Sequence, residues 1–185
     1  MQEEVIFAGF GGQGVLFAGQ LLAYTAMDEG KHVTWIPSYG PEMRGGTANC
    51  TVVVSNEPIG SPLVSRPSIA VVFNNPSMLK YCDQVKPGGL LVVNISIVEA
   101  TTSREDITIL NIPATETANA LGETRLTNMI LMGAMLAARP VVSVETLRQT
   151  IIARLPKRRQ DLLALNLEAI TKGMELAEAQ LVARA

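Results

Sequence analysis

Cysteine and histidine are scarce in this sequence, which contains only Cys50, Cys82 and the single histidine His32. Iron–sulfur clusters and structural zinc sites are held by about four such ligands, usually in closely spaced pairs. One copy of the chain therefore cannot supply a complete cluster or zinc site of this kind. Two cysteines that lie far apart in the sequence are most simply interpreted as buried, reduced thiols.

The sequence also has no large excess of positive or negative charge and no long apolar run. The 15 basic and 17 acidic residues are interspersed and leave a net charge of −2, which gives no electrostatic basis for nucleic-acid binding. No stretch approaches the ~20 consecutive apolar residues of a membrane-spanning helix. The acidic segment from Met1 to Glu4 is unlike a secretory signal. We therefore expect a cytoplasmic protein that binds neither membranes nor nucleic acid.

The apolar segments predict an α/β fold. Short runs rich in valine and isoleucine begin near residues 5, 32, 47, 68, 90 and 107 and are separated mostly by helical stretches. This alternation indicates parallel strands joined by right-handed crossovers. Only a loop separates the run at 47 from the run at 32, so the strand at 47 is expected to be antiparallel. The prediction is a three-layer, Rossmann-like domain with a mostly parallel, mixed sheet.

Residues 126–185 are expected to form a helical C-terminal part of the same single domain, residues 1–185. The segment 126–138 is apolar on nearly every side, which indicates burial either under the sheet or against a partner chain. Helices are also predicted at 144–155, with Ser143 as N-cap, and along an apolar stripe between residues 163 and 181.

The first motif is a glycine-rich turn between the first strand and the first helix. Gly9, Gly11 and Gly14 satisfy G-x-G-x-x-G, and the full run is Gly9-Phe10-Gly11-Gly12-Gln13-Gly14. Such a turn lets an anion or another backbone approach closely, and the N–H groups of the following helix favour negative charge. The motif therefore predicts either a phosphate-binding site or a tight turn that allows close packing of the strand and the helix.

A dinucleotide site needs a second feature that is missing. An acidic side chain is required about 20 residues on, at the end of the second strand, to hold the ribose hydroxyls. Here that strand, His32 to Ile36, leads into Pro37 and Ser38, and no carboxylate stands at its tip. This absence weighs against an independent nucleotide-binding protein.

The second motif is the segment Ser38-Tyr39-Gly40-Pro41-Glu42-Met43-Arg44-Gly45-Gly46. Its glycines and proline predict a loop, but a simple connector would not be expected to contain a tyrosine, a glutamate and an arginine. The guanidinium of Arg44 suits a carboxylate or phosphate, because it offers five donors in a plane. The alternative is a structural ion pair with Glu42 or with a partner chain. Ligands of open α/β sheets gather at the carboxyl ends of strands, so both motifs are expected on one edge.

Together, the two motifs resemble those of the gamma subunit of the 2-oxoacid:ferredoxin oxidoreductases. The run from Tyr39 to Gly46 resembles the 2-oxoglutarate and 2-oxoisovalerate branch of that family more than the pyruvate branch. The resemblance covers nearly all of the 185 residues. It implies a subunit of an enzyme that oxidatively decarboxylates a 2-oxoacid, transfers the acyl group to coenzyme A and passes electrons to ferredoxin.

The resemblance also implies a division of labour between chains. Thiamine diphosphate, magnesium, iron–sulfur clusters and coenzyme A would be held on or with alpha, beta and ferredoxin-like delta subunits, and no catalytic residue or metal is expected here. Residues implied to bind a cofactor or to form an interface are Gly9, Gly11, Gly12, Gln13, Gly14, Tyr39, Glu42, Arg44, Gly45 and Gly46. The small subunit of indolepyruvate ferredoxin oxidoreductase is similar and remains an alternative.

Overall fold

A computed structural model describes residues 1–40, 46–154 and 162–183. Six strands form one sheet with the spatial order β2-β3-β1-β4-β5-β6. Each of the six apolar runs becomes one strand, which confirms the predicted strands. They are β1 (Gln2–Phe10), β2 (His32–Tyr39), β3 (Thr47–Ser55), β4 (Ile69–Val72), β5 (Leu90–Asn94) and β6 (Thr108–Ile112).

The sheet is mostly parallel but mixed, as predicted. The strands β1, β4, β5 and β6 are parallel neighbours, whereas β3 pairs antiparallel with both β1 and β2. Every residue of β4 and β5 is buried, because helices or loops cover these central strands on both faces. Because β1, β4, β5 and β6 run parallel, their carboxyl ends meet at one edge of the sheet.

Strand β2 is longer than the sequence predicts. The sequence places the start of the loop at Ser38, but β2 continues through Pro37 and Ser38 to Tyr39. The N–H of Gly40 donates to the carbonyl of Thr47 at 3.1 Å, so the even-numbered residues of β2 bond to β3 in this antiparallel ladder. The nitrogen of Pro37 then points to the open edge of the sheet, where its missing N–H costs no ladder bond.

In the described ranges, six α-helices surround the sheet, and none of them is long and apolar enough to span a membrane. The hydroxyl of Ser143 accepts the N–H of Thr146 at 3.0 Å, which confirms the predicted N-cap. The helix end expected at Leu155 lies outside the described residues. The helices are α1 (Val15–Asp28), α2 (Asn75–Tyr81), α3 (Ala114–Ala120), α4 (Thr127–Ala138), α5 (Val144–Arg154) and α6 (Leu163–Val182).

The larger core lies between the sheet and the helices α1, α4, α5 and α6. Met129, Met132 and Met135 of α4 are at most 1% exposed within the chain itself. The all-round apolar character of α4 therefore serves the protein's own core. The helices α4 and α6 cross at Gly133 and Gly173, where a side chain would run into the backbone of the opposite helix.

A smaller core on the opposite face completes the three layers. It packs α2, with Met78 and Tyr81, against the other side of β1, β4 and β5, and it is closed by Val98 and Ile107 from the segment that precedes β6. Helices thus cover both faces of the sheet, which confirms the predicted three-layer arrangement.

Candidate functional site

The glycine motif joins β1 to α1 at the carboxyl edge of the parallel strands. Gly14 is the N-cap of α1 and adopts a φ of 76°. The first intrahelical hydrogen bond runs from the N–H of Ala18 to the carbonyl of Gly14 at 3.0 Å. The N–H groups of residues 15–17 therefore precede the helical ladder. They form the positive end of the helix dipole next to the loop.

Hydrogen bonds from several elements fix the glycine loop. The N–H of Gly11 donates to the carbonyl of Gly46 at 2.9 Å. The N–H of Phe10 donates to Oε1 of Gln13 at 2.7 Å, so the Gln13 side chain folds back beneath its own loop. The amide of Asn128 on α4 donates to the carbonyl of Gly14 at 3.2 Å. The loop is thus held by β1, by the start of β3 and by α4.

Two of the motif's glycines are required by packing inside the chain. A Cβ at Gly9 would lie 2.6 Å from Oε1 of Gln13 and 2.8 Å from Cβ of Phe73. A Cβ at Gly14 would overlap the amide of Asn128, whose Cγ would be 3.0 Å away. Gly12, by contrast, has nothing within 4 Å of the corresponding position. The tight-turn interpretation therefore describes Gly9 and Gly14, whereas Gly12 is the free tip of the loop.

A cleft of about 440 Å³ lies beside this loop. Phe17 of α1 and Tyr39 of β2 line it, with 46% and 65% of their surfaces exposed. The other lining residues are small or apolar: Phe10, Gly11, Gly12, Gly14, Val15, Leu16, Gly46, Thr47 and Ala48. The cleft can therefore accept an apolar or aromatic group while exposing the N-terminus of α1 to an anion.

Two smaller grooves also meet at Gly12. One of about 240 Å³ lies between Phe17, Asn128 and Arg125. The other, of about 130 Å³, contains Gln13, Ile97 and again Arg125. The Arg125 guanidinium pairs with Glu123 at 2.6 Å, and its hydrogen bonds lower the pKa of the Glu123 carboxyl to about 2.

The structure brings the described parts of both motifs together on one edge, as the sequence predicts. Gly9, Gly11, Gly12, Gln13 and Gly14 lie beside Tyr39 and Gly46, whereas Glu42, Arg44 and Gly45 lie outside the described residues.

Three residues at this edge were missed in the sequence: Phe17, Arg125 and Asn128. The only signal for Asn128 is its position as a carboxamide near the start of an otherwise apolar helix, and it is 5% exposed.

The site does not have the chemistry of a dinucleotide or metal centre in the described ranges. The last residue of β2 is Tyr39, where an NAD site would have a carboxylate. No three histidine, cysteine, aspartate or glutamate side chains lie close enough together to hold a metal in the part of the chain that the structure describes. The described side chains therefore do not provide the ligand cluster of an iron–sulfur centre.

Cys50 is close to the site but chemically inert. It is buried beneath α1 and unpaired, and its Sγ lies 3.6 Å from the carbonyl oxygen of Val15. Burial raises the pKa of this thiol to about 12. Because the thiolate is the reactive form, Cys50 is unsuited to nucleophilic or redox chemistry.

Two comparisons with curated proteins differ in how much of the relative they cover. The 2-oxoglutarate synthase subunit KorC of Methanocaldococcus jannaschii is 36% identical over 183 residues, which are 96% of this chain and 95% of KorC. The ketoisovalerate oxidoreductase subunit VorA of Methanothermobacter marburgensis is 42% identical over 134 residues, which are 72% of this chain. The matched region is only 28% of VorA, so this chain corresponds to a part of that longer protein.

Solved structures show the same fold. The gamma subunit of a keto/oxoacid ferredoxin oxidoreductase from Geobacter sulfurreducens superimposes with a TM-score of 0.81 at 29% identity, covering 96% of this chain and 99% of that one. A 2-oxoglutarate:ferredoxin oxidoreductase from Magnetococcus marinus, with 2-oxoglutarate, coenzyme A and succinyl-CoA bound, has a TM-score of 0.87 at 27% identity. The match covers 96% of this chain but 31% of that one.

The family model for pyruvate ferredoxin/flavodoxin oxidoreductase matches residues 4–176. This match includes β1 from Glu4 onward, the other five strands, the glycine loop and most of α6. The chain belongs to the pyruvate ferredoxin/flavodoxin oxidoreductase family.

Proposed function

We propose that the chain is the gamma subunit of a cytoplasmic 2-oxoacid:ferredoxin oxidoreductase that converts 2-oxoglutarate to an acyl-coenzyme A and reduces ferredoxin. The observation that carries this proposal is the match to KorC, which extends over nearly the whole of both chains. The match to VorA is higher in identity but covers less than a third of that protein. 2-Oxoglutarate is therefore the proposed substrate, and 2-oxoisovalerate is the second candidate.

In this proposal the chain shapes the active site and assembles the complex, while alpha, beta and ferredoxin-like delta subunits hold the reactive groups. Thiamine diphosphate would supply the carbanion chemistry of decarboxylation, and iron–sulfur clusters would supply electron transfer, on those partners. The edge around Gly12 is proposed to face them on the side where coenzyme A enters. The apolar cleft beside the N-terminus of α1 supports this placement, because coenzyme A combines a purine ring with phosphates.

Purification of the complex from its source through a tag on this chain tests the proposed function. We expect partner subunits that contain thiamine diphosphate and iron–sulfur clusters to co-purify. In the presence of coenzyme A, the complex should reduce ferredoxin with 2-oxoglutarate faster than with 2-oxoisovalerate, pyruvate or indolepyruvate. A preference for indolepyruvate would assign the chain to the alternative enzyme. Recovery of the chain without such partners would contradict the proposal.

We also propose that Arg44 binds a carboxylate of a partner subunit, because protein interfaces are enriched in arginine. Truncation of one member of a buried charge pair costs about 2–5 kcal/mol, so Arg44→Ala should make the complex dissociate on gel filtration. The control is Arg66→Ala, since Arg66 precedes β4 and lies at the opposite, amino-terminal edge of the sheet. An intact Arg44→Ala complex with a raised KM for coenzyme A or the oxoacid would indicate a ligand-binding role instead. Unchanged assembly and kinetics would exclude both roles.

A further inference from the structure

We infer that Asn128 is a positioning residue, which holds the glycine loop in the conformation that the assembled enzyme uses. Asn128 is the second residue of α4 and is 5% exposed. The residues that follow it along the helix, from Met129 to Leu136, are apolar or glycine and are buried. A carboxamide in such surroundings is costly unless it is hydrogen-bonded. Its hydrogen bond is made to the carbonyl of Gly14, outside its own helix.

The bond from Asn128 is not needed to satisfy the Gly14 carbonyl. That oxygen already accepts the first intrahelical N–H, from Ala18, at 3.0 Å. Removal of the Asn128 donor would therefore leave no unpaired buried group on the loop, and the cost to stability should be small. What would be lost is the direct link between the loop and α4. The hydrogen bond thus acts mainly on the position of the loop.

Helix α4 is a rigid support for such a link. Its Gly133 packs against the backbone of α6, and Gly173 of α6 packs against the backbone of α4. Two helices that interlock through their backbones cannot slide without breaking this contact. A site is held accurately when its supporting residues stand on rigid elements. The short side chain of Asn128 thus fixes the loop relative to this helix pair through its hydrogen bond to the Gly14 carbonyl.

The same residue borders one of the grooves beside the loop. Asn128 lines the groove of about 240 Å³ together with Gly12, Phe17 and Arg125. A small shift of the Gly14 carbonyl would move the loop tip at Gly12 and the free N–H groups at the start of α1. We therefore expect loss of Asn128 to weaken binding at this edge more than it weakens folding.

Hydrogen–deuterium exchange on the full chain tests whether the hydrogen bond from Asn128 holds the loop. Asn128→Leu keeps a similar volume and Asn128→Asp keeps the shape, but neither side chain can donate at neutral pH. Loss of one hydrogen bond should make the hydrogen-bonded amides of Gly11, Gln13 and Ala18 exchange about three- to tenfold faster in both variants. The control is Thr150→Val, which removes the partly buried hydrogen bond from the Thr150 hydroxyl to the Asp28 carboxylate (2.8 Å). Asp28 is the last residue of α1 and lies about 20 Å from the loop. The loop amides of Thr150→Val should therefore exchange at the wild-type rate.

The functional consequence rests on the proposed function and is measured on the assembled complex. We expect both Asn128 variants to assemble normally and to raise the KM for coenzyme A about three- to tenfold, the effect of one hydrogen bond, while kcat changes little. If Asn128 had a purely structural role, the variants would instead lower the amount of assembled complex and leave its KM and kcat unchanged.

Two results would overturn the inference. One is loop exchange that is the same in wild type and both Asn128 variants. The other is faster loop exchange combined with an unchanged KM for coenzyme A. If the wild-type complex shows no dependence on coenzyme A, the proposed function is wrong, and the exchange experiment still decides whether Asn128 holds the loop.

Discussion

Replacement of Gly14 by valine should lower the free energy of unfolding by about 2–5 kcal/mol. Two separate costs add to this value. A left-handed backbone conformation costs a residue with a Cβ about 1–2 kcal/mol, and Gly14 has a φ of 76°. Overpacking costs about 1–3 kcal/mol more, because the new side chain would overlap the amide of Asn128. Chemical denaturation of the purified chain measures the change.

Gly30→Val separates the two costs. Gly30 follows α1 with a φ of 73°, but nothing lies within 4 Å of where its Cβ would be. This control should therefore show the conformational cost alone, and Gly14→Val should be at least about 1 kcal/mol less stable. Equal losses in the two variants would show that Asn128 does not pack against Gly14 as described.

Gly173→Ala should destabilise the chain by about 3 kcal/mol or more, although it adds a single methyl group. The methyl carbon would overlap the backbone carbonyl of Ile130 and lie 3.0 Å from the nitrogen of Ala134. Overpacking usually costs about 1–3 kcal/mol, but here the obstacle is helical backbone, which has no alternative rotamer. The helices α4 and α6 would have to move apart and expose buried apolar residues such as Ile130 and Ile170.

The control for this prediction is Gly60→Ala. Gly60 lies in the exposed connection between β3 and β4, and nothing lies within 4 Å of its missing Cβ. Its replacement should stay within about 0.5 kcal/mol of wild type. Urea unfolding measures the free energy of unfolding of both variants. A Gly173→Ala chain as stable as Gly60→Ala would contradict the close crossing of α4 and α6.

The fold could be predicted from the sequence where local patterns determine it. The apolar runs of β4 and β5, the cap at Ser143 and the antiparallel β3 follow from residue type, spacing and connection length. Strand β2 was predicted too short, because proline usually ends a strand and only the ladder register shows that the Pro37 nitrogen points outward. Helix α3 was missed because its alanines and threonines form no apolar stripe.

The site could be predicted only in part. The rule that ligands gather at the carboxyl ends of parallel strands was enough to place Gly12 and Tyr39 on one edge. The hydrogen bond from Asn128 joins residues 114 positions apart, and no local pattern encodes that distance. The close approach at Gly133 and Gly173 likewise depends on how α4 and α6 cross, which is set by the packing of the whole core.

In the proposed function, this chain completes an oxidoreductase whose reactive groups are held by other subunits. The most direct test compares the partner subunits with and without the chain, using coenzyme A-dependent reduction of ferredoxin by 2-oxoglutarate. We expect little activity from the partners alone, and a rate that rises with added chain until the subunits are equimolar. Full activity of the partners without this chain, or no gain when it is added, would contradict the proposed function.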